Sequence, residues 1–123
     1  MPQDLLSLDV QTTPDGKTQI FVLHGTMDIA TSPTVRAALV EAAEHDRHDV
    51  IVDLSNLDFL DSTGLGALIG GQRRAREFNG EVRLVAKEGQ ILRLLRITGL
   101  LRVFAVYPTL DEAVHDGQRV GDL

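Results

Sequence analysis

Apolar and polar residues alternate along two short stretches at the N-terminus. Leu6, Leu8 and Val10 are separated by polar neighbours, and residues 20–23 form a second, continuous apolar run. The PDGK tetrapeptide at residues 14–17 lies between them and supplies turn-forming residues. This pattern predicts an N-terminal β-hairpin.

The next pattern has the spacing of a helix. Ser32 is a plausible N-cap and Pro33 suits the first helical position, which predicts a first helix over residues 33–45. The apolar positions that recur at helical spacing are Val35, Ala38, Leu39 and Ala42. Residues 49–54 are short, β-branched and almost uninterrupted in apolar character, which predicts a strand at the centre of the sheet.

Helices and strands alternate through the rest of the chain. A second helix is predicted over 62–78, ending at Asn79-Gly80, and is followed by a strand at 82–86. The remaining elements predicted are a helix at 90–97 stopped by Gly99, a strand at 103–106 and a helix at 110–115 after Pro108-Thr109. The alternation predicts an α/β fold: one domain over 1–123, with a mixed, mostly parallel sheet, the N-terminal hairpin and about four helices packed on it. The polar tail, about 117–123, is expected to fray.

Composition narrows the classes of function. The chain of 123 residues contains no cysteine, which excludes disulfides, thiolate metal sites and cysteine nucleophiles. Its net charge of −6 gives little drive for binding a phosphate backbone, so nucleic acid is not expected as a partner. No stretch approaches the length of a membrane span, and the N-terminus lacks a secretory pattern, so we expect a cytoplasmic protein with no membrane partner.

The stretch FLDSTGLGALIG, residues 59–70, carries the candidate chemistry. Ser62 opens the second predicted helix, and one interpretation is that its hydroxyl caps the unpaired N–H groups there. The other is phosphorylation, because a phosphate of about −1.5 to −2 charge is compatible with the positive end of a helix that has free N–H donors. A partner covering the same face would exclude that charge beside Asp58, Asp61 and Asp28.

Glycines weaken this helix, and they also have two interpretations. Each glycine inside a helix costs about 0.5–1 kcal/mol relative to alanine. On a helical wheel Leu65, Leu68 and Ile69 face the sheet. The opposite face is nearly bare and holds Thr63, Gly66, Ala67 and Gly70. The small residues serve either close packing within the protein or a smooth docking face for another protein.

Three other chemistries were weighed against the sequence. A serine hydrolase of the nucleophile-elbow type needs a glycine two residues before and two residues after its serine. Gly64 follows Ser62 at that spacing, but Leu60 precedes it, so the motif is incomplete. His45 and His48 lie in an acidic loop that is better explained as solvated than as metal-binding, so no metal is assigned. Asp53 ends a predicted buried strand, as a phospho-aspartate would, but the first strand lacks an acidic pair for magnesium.

The motifs resemble those of the STAS domain family, specifically bacterial anti-sigma factor antagonists. The resemblance lies in the order of elements and in DLSNLDFLDSTGLGALIG (53–70), GTMD (25–28) and ITGLLRVFAVYPTLDEAV (97–114). It implies that the acceptor serine is Ser62. It also implies that Asp28, which matches the family aspartate near the acceptor, contributes to the partner surface. With the residues of the motif and helix face, the expected partner-binding set is Asp28, Asp61, Thr63, Gly64, Gly66 and Gly70.

The resemblance also implies a function without catalysis by this chain. The unphosphorylated protein is expected to bind an anti-sigma factor and release its sigma factor. The anti-sigma factor is itself expected to be a serine kinase using ATP and magnesium, and a phosphoserine phosphatase is expected to restore the active form. The protein needs no cofactor of its own. The alternative is an adaptor STAS subunit of another assembly, such as a lipid-transport complex or a stress-signalling scaffold.

Overall fold

The hairpin and the parallel strands form one five-stranded sheet. The computed structural model describes residues 5–45 and 49–121. Its strands are β1 (Ser7–Thr12), β2 (Thr18–Met27), β3 (Asp49–Leu60), β4 (Glu81–Val85) and β5 (Val106–Tyr107), in the spatial order β1-β2-β3-β4-β5. β1 and β2 are antiparallel and all other neighbours are parallel, so the predicted mixed sheet with β3 at its centre is confirmed.

Three helices cover one face of the sheet and a fourth covers part of the other. They are α1 (Ser32–Glu44), α2 (Ser62–Glu77), α3 (Gln90–Ile97) and α4 (Leu110–Val114). Because the strands lie in chain order, crossovers of one hand place their helices on the same side of the sheet. Leu39 of α1, Leu68 of α2 and Leu95 of α3 share the larger core with alternate residues of the strands.

The smaller core lies on the opposite face. Ile20, Ile51 and Val85, which alternate with the residues of the larger core along their strands, pack there with Tyr107 and Ala113. β3 is therefore buried on both sides over its first half, which accounts for its uninterrupted apolar character. Alternate residues of one strand enter different cores because the side-chain period of a strand is two.

Two local predictions are wrong. Helix α1 begins at Ser32 itself, with Thr31 at the N-cap position and Pro33 in the second helical position. Of the strand predicted at 103–106 only Val106 lies in a strand, the two-residue β5 (Val106–Tyr107), and a 3-10 turn at Leu100–Arg102 precedes it. The chain turns here because Gly99 adopts a left-handed φ of 77°, and Phe104 then donates to the carbonyl of Leu100 at 3.0 Å.

Hydrogen bonds connect the described part of the polar tail to the rest of the domain. The Val120 N–H donates to the Val106 carbonyl at 2.7 Å, and Gln118 N–H donates to the Glu112 carboxylate at 2.6 Å. These bonds tie residues 117–121 to β5 and α4. The last two residues of the predicted tail, 122–123, lie outside the described residues.

Candidate functional site

The two aspartates singled out in the sequence follow the ends of neighbouring parallel strands. Met27 at the end of β2 pairs with Leu60 at the end of β3, so Asp28 and Asp61 leave the sheet at the same edge. The Asp61 N–H donates to the Met27 carbonyl at 3.3 Å, which joins the two strand ends directly. The structure therefore brings the GTMD and DSTG motifs together into one site at this edge.

Asp61, not Ser62, caps helix α2. Its Oδ1 accepts hydrogen bonds from the N–H groups of Thr63 at 3.0 Å and Gly64 at 3.1 Å. The Thr63 hydroxyl donates to the same oxygen at 2.5 Å. These bonds, the Thr63 hydroxyl first among them, lower the pKa of Asp61 because they favour its charged form. The prediction that the Ser62 hydroxyl caps the helix is wrong because the residue before it has the extended backbone and the carboxylate that a cap requires.

Ser62 occupies the first helical position and its side chain is exposed. Its hydroxyl makes no hydrogen bond to any residue that the structure describes. The adjacent Thr63 is only half-exposed and its hydroxyl is bonded to Asp61. Of the two neighbouring hydroxyls, the serine is therefore the one that is exposed and makes no bond within the described part of the chain.

The cap changes the physical account of a phosphate at this position. Free N–H donors are expected at the start of α2 from the sequence, but Asp61 already accepts hydrogen bonds from the N–H groups of Thr63 and Gly64. A phosphoryl group on Ser62 would stand in solvent beside a carboxylate instead of being cradled by the helix. Water screens that repulsion in the free protein, and a covering partner would remove the screening.

Asp28 organises the turn between β2 and α1. Its Oδ1 accepts from the N–H groups of Ala30 at 2.9 Å and Thr31 at 3.2 Å. The Thr31 hydroxyl accepts from the Asp28 N–H at 2.9 Å and donates to the Thr26 carbonyl at 2.7 Å. Asp28 thus has a structural role in this turn, and this role fixes its position next to the start of α2.

The glycines of α2 divide into two groups, and most of them serve internal packing. A methyl group on Gly64 would collide with the Leu60 side chain and approach the Met27 carbonyl oxygen to 3.0 Å. One on Gly71 would lie 2.5 Å from Leu39 Cδ1 of α1. Close packing of α2 against α1 and the end of β3 is therefore the reason for these two glycines.

The predicted bare face of α2 is smaller than expected. Ala67, assigned to it from the helical wheel, is buried. Gly70 lies under the Arg36 side chain, whose Nε would be 3.1 Å from an added methyl group. Gly66 alone among these positions is exposed with open space around it. The exposed part of the predicted face is therefore the first turn of the helix together with Gly66.

Two exposed apolar side chains at this edge were missed by the sequence reasoning. Ile29, directly after Asp28, is 75% exposed, and Phe59, which pairs with Thr26 across the strands, is 50% exposed. Large apolar residues held in solvent beside a motif are typical of protein–protein contacts. The sequence does carry a sign of both: an isoleucine in a turn, and a phenylalanine between Asp58 and Asp61. Neither position has to be buried by the fold.

Other chemistries find little support at this edge. Among residues 5–45 and 49–121, no group of three or more His, Cys, Asp or Glu side chains is placed to hold a metal ion. His48, of the loop considered as a metal site, lies outside the described residues, and Nδ1 of His45 lies 2.8 Å from the Glu41 carbonyl oxygen, which accepts its hydrogen bond. Within the described part of the chain no helix has both the length and the apolar character needed to cross a membrane.

Comparison with known proteins identifies the family. The STAS domain model matches residues 8–113, so the chain belongs to the STAS domain family. The chain is 30% identical over 95 residues to an anti-sigma-B factor antagonist of Staphylococcus aureus, covering 77% of this chain and 88% of that protein. The family and the α/β fold expected from the sequence are both confirmed.

Solved structures agree with this assignment. An anti-sigma factor antagonist from Mycobacterium paratuberculosis superposes with a TM-score of 0.82 at 26% identity, covering 93% of this chain and 95% of that one. The Bacillus cell-fate determinant SpoIIAA in its phosphorylated form superposes with a TM-score of 0.70 at 21% identity, covering 89% and 98%. The second likeness is one of fold.

Proposed function

We propose that this protein is an anti-sigma factor antagonist whose binding is controlled by phosphorylation of Ser62. The unphosphorylated form binds an anti-sigma factor, which then releases its sigma factor. The anti-sigma factor is a serine kinase that uses ATP and Mg²⁺, and a phosphoserine phosphatase reverses the modification. In this proposal the chain acts in the cytoplasm by binding alone and is not an enzyme.

One observation carries the proposal: an exposed serine hydroxyl, unbonded to any residue that the structure describes, stands at the sheet edge where Asp28 and Asp61 meet. The similarity to the staphylococcal antagonist supports the choice of function over that of an adaptor in another assembly. The engagement of the Thr63 hydroxyl by Asp61 supports Ser62 as the acceptor.

The switch has an electrostatic basis. In the free protein a phosphate on Ser62 is solvated, so its repulsion from Asp61 is weak. Under a docked partner the same dianion would lose its water while lying beside Asp61 and Asp28. A cost of about 3 kcal/mol would weaken binding more than a hundredfold.

The test uses purified protein and the purified serine-kinase anti-sigma factors encoded in the source genome. With ATP and Mg²⁺ we expect phosphate on Ser62 by mass spectrometry, none in Ser62→Ala, and phosphate still on Ser62 in Thr63→Val. Calorimetry should show tight binding of the wild type and binding at least a hundredfold weaker for Ser62→Asp. Equal affinity of wild type and Ser62→Asp for the same kinase would overturn the switch.

A further inference from the structure

A cleft of about 370 Å³ opens beside the site, between the second half of β3 and the start of α3. Leu57, Phe59 and Leu60 line it from the β3 side, and Ile91 and Leu94 line it from α3. Phe59 is half-exposed and the two α3 residues are partly exposed, so the lining is apolar and reachable from solvent.

The cleft exists because β3 is longer than its neighbour. The last pair between β3 and β4 joins Asp53 to Val85, whereas β3 continues to Leu60. Over residues 54–60 its pairing is with β2 on one side only, among the strands that the structure describes. The other edge of the strand forms a wall of the cleft, and an unpaired strand edge beside apolar side chains is a favourable surface for a protein segment.

The charge of the cleft favours a positive occupant at the end of β3. Asp58 lines the cleft, is exposed, and forms no ion pair with any described residue. Of the other charged residues in the lining, Glu88 pairs with Arg96 at 3.4 Å, and Lys87 lies on the connection to α3. Asp58 shares its end of the sheet with Asp28 and Asp61, so this end carries three carboxylates.

We propose that the cleft is a second docking site for the anti-sigma factor, and that it receives an apolar side chain carried on a positively charged segment of that partner. The apolar group packs between Phe59 and Leu94, and a neighbouring lysine or arginine of the partner pairs with Asp58. The inference rests on the proposed function. It adds that the contact is bipartite: the Ser62 edge controls binding, and the cleft supplies an anchor.

The test measures dissociation constants for the anti-sigma kinase that binds the wild type. Phe59→Ala removes the exposed ring and Asp58→Lys reverses the charge, and each should weaken binding about tenfold or more, as expected for anchor residues. Asp58→Lys should also reduce the dependence of affinity on salt.

The matched controls are Ile97→Ala, an exposed apolar residue at the end of α3, and Asp111→Lys, an exposed acid on α4, both outside the cleft lining. Both controls should bind within twofold of the wild type.

A second measurement does not depend on the variants folding well. When the kinase is added to isotope-labelled wild type, the amide resonances of Ile91 and Leu94 should shift together with those of Asp61–Gly66. Unshifted Ile91 and Leu94, or Phe59→Ala and Asp58→Lys binding within twofold of the wild type while Ser62→Asp fails to bind, would overturn the cleft alone and leave the switch intact. Failure of every such kinase to bind the wild type would overturn the proposed function and this inference with it.

Discussion

The Thr63 hydroxyl lies 2.5 Å from Oδ1 of Asp61 and donates a hydrogen bond to that carboxylate. This bond gives two adjacent hydroxyls different roles. Thr63 completes the cap of α2, whereas Ser62 is left exposed at the surface. A motif that reads Asp-Ser-Thr therefore separates a structural hydroxyl from an accessible one within two residues.

The hydrogen bond from Thr63 to Asp61 predicts how the stability of the fold changes at acid pH. The pKa of Asp61 is lowered from its usual 3.8 in the folded protein, so the unfolded chain binds the proton more readily as the pH falls. The stabilisation by Asp61 is fully present above pH 3.8 and is lost as the pH falls through the lower, folded pKa. We expect Asp61→Asn to be less stable than the wild type at pH 7 and the difference to shrink at pH 3, measured by urea unfolding. A difference that grows on acidification would contradict the assigned role of the carboxylate.

Gly66 and Gly71 should respond in opposite ways to substitution by alanine. Gly66 has open space around it, so Gly66→Ala should stabilise the free protein by about 0.5–1 kcal/mol through helix propensity. Gly71→Ala should destabilise it by about 1–3 kcal/mol, because the new methyl group would lie 2.8 Å from Leu39 Cβ. Urea unfolding of both variants beside the wild type measures these changes.

Partner binding separates stability from function at Gly66. If the anti-sigma factor approaches the first turn of α2 closely, Gly66→Ala should bind it more weakly although the variant is more stable. Thr34→Ala, an exposed change on α1, serves as a control for affinity. Unchanged affinity of Gly66→Ala would remove Gly66 from the docking face and leave that glycine without a functional explanation.

Regular elements were predicted well where the local pattern and the tertiary environment agree. Helix α3 was predicted over the residues that form it, because an apolar stripe containing Leu92 and Leu95 is followed by Gly99 in a left-handed conformation. The strand predicted at 103–106 failed because apolar residues there pack as a turn against the core. Phe104 is buried outside any strand, and Ala105 contributes only its carbonyl, which accepts from the Leu84 N–H at 3.0 Å. A short apolar run alone does not distinguish the two outcomes.

Within the site, the sequence predicted which residues meet but not how they are bonded. Asp28 and Asp61 were both named, and parallel pairing brings them to one edge. The sequence left open whether the Ser62 hydroxyl caps α2, because a one-residue shift in a helix start is not resolved by sequence pattern, and the structure gives the cap to Asp61. Packing against Leu39 and Arg36, which explains Gly71 and Gly70, depends on how α1 lies on α2 and has no local signal.

Gln72 is a buried polar side chain whose loss should be costly. Its Oε1 accepts from the Val82 N–H at 2.7 Å and its Nε2 donates to the Val103 carbonyl at 3.0 Å. β5 pairs with β4 only at Leu84 and Val85, so it does not reach the N–H group of Val82. The Gln72 side chain takes the place of a strand neighbour there. Gln72→Met should lower the free energy of unfolding by about 1–3 kcal/mol, since it leaves these backbone groups unpaired. The exposed Gln90→Met is the matched control, and an equal effect of the two changes in urea unfolding would contradict this role.

Tyr107 and Asp116 fasten the C-terminal segment, and their bond predicts the behaviour of the protein at alkaline pH. The Tyr107 hydroxyl donates to Asp116, whose φ of 50° turns the chain after α4. Burial first, and then this bond to the carboxylate, raises the pKa of Tyr107 above its usual 10. The unfolded chain therefore loses the phenol proton at a lower pH than the folded protein does, so this contribution to stability is present below pH 10 and is lost as the pH rises through the folded pKa.

Tyr107 is the only tyrosine and tryptophan is absent, so tyrosinate absorbance reports this one group. We expect ionisation near pH 10 in urea-unfolded protein and at higher pH in the native protein, and a smaller upward shift in Asp116→Asn, where the acceptor is neutral. Coincident titration curves for the native and unfolded protein would show that the hydroxyl is not held as the structure places it.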